Sequence, residues 1–108
     1  MSNTRKRRAI GLVYSTVAAV TKGNAVIERD GLRGMYPEHR FALDIRLNEG
    51  FPRAAAVDGI VRGLLSHGYV LDPSWRQGKL LNGEGHYLVV DGMAFADGRI
   101  HVSAGSTR

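Results

Sequence analysis

The sequence contains no cysteine. Disulfides, cysteine-ligated zinc and thiol nucleophiles are thereby excluded, and a short chain without such staples depends on side-chain packing or on a partner copy. Proline is scarce, with 3 residues, and aromatic residues make up only 7% of the chain, with a single tryptophan, Trp75. Long apolar runs are missing as well. The stretch AIGLVYSTVAAV, from Ala9 to Val20, is broken by Gly11, Tyr14, Ser15 and Thr16. It fits neither a secretory leader nor a membrane span, and a cytoplasmic address is expected.

What is present is the composition of an ordinary globular chain: 108 residues, 44% hydrophobic and 23% charged, with room for one domain around one core. The net charge is +5, and Arg5, Lys6, Arg7 and Arg8 carry most of the excess. With those four set aside, acids and bases nearly balance. The reading is a flexible basic arm over residues 1–8 ahead of a single α+β domain over 9–108. Arginine far outnumbers lysine, which suits bidentate contacts to phosphate or carboxylate and equally reflects a GC-rich coding sequence.

From Ala9 the β-branched and aromatic content reads as a strand, with the turn signal TKGN at Thr21 to Asn24 closing a hairpin onto AVIERDG. After the connection LRGMYPEH, the segment RFALDIRLN alternates cleanly. Phe41, Leu43, Ile45 and Leu47 point one way, and Ala42, Asp44, Arg46 and Asn48 the other. One amphipathic helix is expected at about residues 52–67, starting near Pro52 and stopping at Gly68. Val57, Ile60, Val61, Leu64 and Leu65 form its apolar face, and Asp58 and Arg62 an i,i+4 ion pair. Ala55, Gly59 and Gly63 line up four apart on that helix. Each interior glycine costs about 1 kcal/mol relative to alanine, so the stripe reads as a close approach by the matching helix of a homodimer, as one by a strand of the same chain, or as simple tolerance of that cost.

The stretch Asp72 to Gly85 reads as the longest irregular segment, with a short strand allowed at Lys79 to Leu81. Asp91-Gly92 and Asp97-Gly98 then read as two type I′ turns of a C-terminal three-stranded meander. That register puts Leu88, Val90, Met93, Phe95, Ile100 and Val102 on one face. On the other face Tyr87, Ala96 and Arg99 form one row, and Val89, Ala94 and His101 the next. The two alanines make a shallow trough, suited to a base, a nucleotide or a peptide, or to internal packing. The fold class is therefore α+β: an antiparallel sheet with one helix packed on one face.

Catalytic and cofactor signatures are weak. GEGH at Gly83 to His86 and GKLL at Gly78 to Leu81 fall short of phosphate-loop patterns, and His101-Val102-Ser103 is a single His-x-Ser without a second copy. His39, His67, His86 and His101 lack metalloprotease spacing, so no metal or cofactor is expected and an enzyme is not favoured. The leading expectation is a non-enzymatic binding module whose basic residues Arg5, Lys6, Arg7 and Arg8 engage nucleic-acid phosphates. The bland reading is four charges that merely solvate a terminus. A protein-binding or inhibitory module, for example a mobile-element protein that blocks a host complex, is the alternative, with Tyr87, Arg99, His101 and Trp75 as its surface. A small-nucleotide binder at the same trough is the third.

Overall fold

Ile10, Val13, Val17 and Val20 recur at steps of three and four, the period of a helix and not of a strand. In the computed structural model, which describes residues 3–29, 41–92 and 98–106, this segment is the helix α1, Asn3–Thr21. The expected N-terminal hairpin is thus corrected, and so is the flexible arm: Arg5 to Arg8 belong to the first turns of α1. Burying side chains such as Ile10, Val13 and Val17 is worth about 1.5–3 kcal/mol each, against helix-propensity losses of at most about 0.7 kcal/mol for a β-branched residue. Packing wins. The TKGN signal is real but ends a helix. Gly23 N–H donates to the Ala18 carbonyl at 3.3 Å, and Lys22 adopts the left-handed conformation at φ 52°, the geometry of a Schellman terminator.

The remaining elements are β1 (Ala25–Arg29), β2 (Phe41–Leu47), α2 (Arg53–Ser66), β3 (Val70–Asp72), β4 (Lys79–Asn82), β5 (His86–Asp91) and β6 (Ile100–Ser106). All pairings are antiparallel, in the spatial order β1-β2-β6-β5-β4-β3. Among the described residues, the chain forms a single α+β domain of two helices and a six-stranded sheet. Its radius of gyration, 12.7 Å, is close to the roughly 13 Å of a compact hundred-residue domain. No described helix is long and apolar enough to cross a membrane.

One sheet face carries the core. Phe41, Leu43 and Ile45 of β2, Ile100, Val102 and Ala104 of β6, and Leu88 and Val90 of β5 are fully buried with Val13 of α1 and Ala56, Ile60 and Leu64 of α2. The β2 alternation is as expected, and α2 matches its expected span within a residue. Asp58 and Arg62 pair at 3.1 Å. Leu65, placed on the apolar face by the sequence, is exposed.

The C-terminal meander exists but consists of β4, β5 and β6. Asp91 stays in β5 opposite His101, and Val90 faces Val102 directly. The type I′ turn expected at Asp91-Gly92 therefore does not form. Met93, Ala94, Phe95, Ala96 and Asp97 lie outside the described residues. Leu88, Val90, Ile100 and Val102 still share the core face, because alternation sets the face of each residue whatever its partner. Val70 to Asp72 and Lys79 to Asn82 form a hairpin; its second strand is the short one allowed at Lys79 to Leu81, and its first is an element the sequence reading lacks.

The glycine stripe has a partner, and it is α1. A Cβ at Gly59 would lie 2.6 Å from Cγ1 of Val20, and one at Gly63 would lie 2.5 Å from Cγ2 of Thr16. The close approach by a second helix is real, but within the chain, and Ala55 is exposed outside it. These glycines therefore cannot offer their surface to a second copy. Gly59→Ala is expected to destabilise the fold by about 1–3 kcal/mol despite alanine's better helix propensity. In urea denaturation, adding Val20→Ala to Gly59→Ala should cost less than Val20→Ala costs alone, because the methyl then fills vacated space.

Candidate functional site

The sheet face away from the helices was the expected trough. Asp44, the partner of His101 across β2 and β6, is 3% exposed and accepts a 2.9 Å hydrogen bond from His101 Nδ1, while Arg99 lies 3.6 Å from its other oxygen. Burial of a carboxylate is tolerable only with such partners. Ser103 and Ala42 are buried in the next row, and Glu28 pairs with Arg46 at 3.2 Å toward the β1 edge. His101 is therefore a packed, hydrogen-bonded residue, as the internal-packing alternative for this face required.

Nor does the structure bring the four expected partner-binding residues together. Tyr87 faces Gly105, four positions along β6 from His101, a separation of about 13 Å. Its ring crosses the space a Cβ at Gly105 would need, the familiar cover of a strand glycine by a cross-strand aromatic. Trp75 lies in the β3–β4 connection, where its Nε1–H donates to the Gln77 carbonyl at 2.9 Å. Ala94 and Ala96, the floor of the expected trough, lie outside the described residues.

A different site forms at the other end of α1. The helix α2 ends in a complete Schellman motif: Gly68 N–H donates to Leu65, Tyr69 N–H donates to Leu64, and Gly68 takes φ 93°. That turn delivers Tyr69, the first residue after the motif's glycine, toward the β4–β5 hairpin. There the sequence NGEGH makes a tight turn closed by Gly83 N–H donating to the His86 carbonyl at 2.9 Å.

Tyr69 Oη and His86 Nε2 are 2.6 Å apart, and His86 Nδ1 lies 2.9 Å from the Glu84 carbonyl. A carbonyl only accepts, so Nδ1 carries the proton, and in the neutral ring Nε2 accepts from the Tyr69 hydroxyl. The rings meet edge to face at 5.4 Å. Gly83 leaves the space for both: a Cβ there would lie 2.8 Å from Tyr69 and 3.0 Å from His86.

Arg5 reaches the same turn. Its guanidinium donates to Glu84 Oε1 at 3.2 Å and to the Glu84 carbonyl at 3.4 Å, and a side chain at Gly85 would collide with it. Between these groups lies a cleft of about 300 Å³ lined by Arg5, Arg8, Leu12, His67, Tyr69 and His86, among others. Sequence reasoning found Arg5 and Arg8 but missed Tyr69, His67 and His86 as neighbours. The available signal was the pair of glycines in NGEGH, which read as a failed phosphate loop but in fact clear room for two rings and a guanidinium.

Lys6 and Arg7 lie outside the cleft lining, on the same first turns of α1. The cleft thus combines Arg8, the Arg5–Glu84 ion pair, a tautomer-fixed histidine, a phenol oxygen with acceptor capacity remaining, and an apolar wall. Arg8 is the cation it offers to an anion that also carries a hydrogen-bond donor. Comparison with known protein families, with curated proteins and with solved structures finds no match to this chain.

Burial pushes the Tyr69 phenol above its ordinary value. The folded state therefore holds this proton more tightly than the unfolded chain does, so stability is unaffected below the ordinary phenol value and falls as pH rises past it. In an ultraviolet tyrosinate titration, Tyr69→Phe should remove a step that lies above the ordinary phenol value. On the outer face, Asp44→Ala should cost about 3 kcal/mol in chemical denaturation, since it strands the buried His101 and the adjoining Arg99. A loss below about 0.5 kcal/mol would contradict the buried pairing.

Proposed function

We propose that the chain is a non-enzymatic module that binds nucleic acid through its phosphates, with Arg5, Lys6, Arg7 and Arg8 on the first turns of α1 as the contact. The observation that carries this reading is the placement of four consecutive cations at the positive end of a helix dipole, with no acidic residue in its first turn. Such charges oppose the macrodipole by about 0.3–1 kcal/mol each. An external polyanion turns that cost into attraction. Because α1 is anchored by the buried Ala9, Ile10, Val13 and Val17, the cations are held on a rigid support and lose less freedom on binding than a loose arm would.

The protein-docking alternative has less support. Of the large exposed hydrophobics, Val26 and Val70 sit on β1 and β3, at opposite edges of the sheet, so these two do not share a patch.

The test is a salt titration of binding to a nonspecific duplex. Lys6→Ala with Arg7→Ala, both outside the cleft lining, should leave the melting temperature within a few degrees. The double variant should flatten the slope of log K against log salt by about 2. An unchanged affinity and slope would exclude these residues as the contact.

A further inference from the structure

The cleft between α1 and the β4–β5 turn is more specific than a phosphate-binding surface needs. Backbone phosphates are met adequately by exposed cations, yet here His86, only 7% exposed, and Tyr69, 9% exposed, are hydrogen-bonded to each other in a cleft wall. We infer that this cleft is a subsite for a single nucleotide unit bearing a phosphate monoester.

Each part of such a ligand has a counterpart. Arg8 lines the cleft one turn after Arg5 on α1 and offers its guanidinium to a dianionic phosphate, which gains most from bidentate donors, while Arg5 stays on Glu84. The Tyr69 hydroxyl spends its proton on His86 Nε2, so its oxygen is left to accept from a ligand N–H or O–H, as a base or ribose supplies. Leu12 and Ala9 provide the apolar wall, and the His67 imidazole, with Nδ1 2.8 Å from the Gly63 carbonyl, adds an aromatic face. The volume, about 300 Å³, is at the small end of ligand sites and accommodates one nucleotide unit rather than two.

The chemistry selects against simpler ligands. Inorganic phosphate would satisfy Arg8 and leave the phenol oxygen and the apolar wall unused. A nucleoside without phosphate would make no use of Arg8. This subsite rests on the phosphate-binding reading above and narrows it. The ligand is either a free mononucleotide or the phosphorylated end of a strand, and the two share the same chemistry.

The experiment is an amide NMR titration of the full chain with adenosine 5′-monophosphate, adenosine and inorganic phosphate. A 5′-phosphorylated single-stranded oligonucleotide and its 5′-hydroxyl counterpart make two further arms. Adenosine 5′-monophosphate should produce saturable shifts centred on Gly68, Gly83 and His86, with adenosine and inorganic phosphate each weaker by about tenfold. Arg8→Ala, a change at an exposed position, should weaken the mononucleotide by about tenfold. Tyr69→Phe should weaken it severalfold without changing inorganic phosphate, and the dispersion of its spectrum checks the fold.

Preference for the 5′-phosphorylated oligonucleotide over the 5′-hydroxyl one supports the subsite with a strand end as its source. Equal oligonucleotide binding beside tight mononucleotide binding supports it with a free nucleotide. Absent or unsaturable shifts with adenosine 5′-monophosphate, or an Arg8→Ala variant that binds it normally, would overturn the subsite. In that event duplex binding that keeps its salt slope leaves the broader reading standing, whereas loss of the Lys6 and Arg7 effect overturns that reading on its own.

Discussion

The close crossing of α1 over α2 is the contact on which the rest of the structure depends. Val20 lies against Gly59 and Thr16 against Gly63, so the two helices run antiparallel with little more than a methyl layer between them. Two interior glycines cost about 2 kcal/mol in helix propensity. What they permit is a fixed line for α1. Arg5 stands eleven residues before Thr16, roughly 16 Å along the helix axis, and that line carries it past the end of α2 to Glu84 and Gly85. A larger residue at either glycine would tilt α1 and move its cationic end.

The cleft is then assembled from three terminations. The first turns of α1 bring Arg5 and Arg8, the Schellman end of α2 brings Tyr69, and the NGEGH turn between β4 and β5 brings His86. None of these is long-range in itself. Each is a local solution to the capping or turning of one element, and they meet because the helix crossing and the sheet register are rigid. The hydrogen-bond chain from Tyr69 through His86 to the Glu84 carbonyl locks the histidine tautomer, and the edge-to-face rings resist rotation. The site is preorganised on elements of regular structure, with only the tight turn as a loop.

The outer sheet face has a different character. Asp44, His101 and Ser103 are buried there, and the hydrogen bond from His101 and the ion pair with Arg99 compensate the desolvation of Asp44. A face that the strand pattern left open between a binding trough and internal packing is thus an internal layer near the middle of the sheet.

The sequence by itself determined the binary pattern: which residues of β2, α2, β5 and β6 face the core, where α2 begins and ends, and where the excess charge sits. It also flagged the glycine stripe of α2 as a close contact. Those features are legible because they arise from period, capping and composition, which are local. Propensity misled over α1, where β-branched residues suggested a strand although their spacing was helical and burial outweighed the propensity cost. Alternation likewise determined the face of Val90 and Val102 but not that they pair with each other, since any register shift by two residues preserves the faces. Only the tertiary structure decided that the stripe receives α1, that β6 lies between β2 and β5, and that Arg5, Tyr69 and His86 share one cleft. Such meetings depend on distances between residues up to 79 positions apart, which no local pattern encodes.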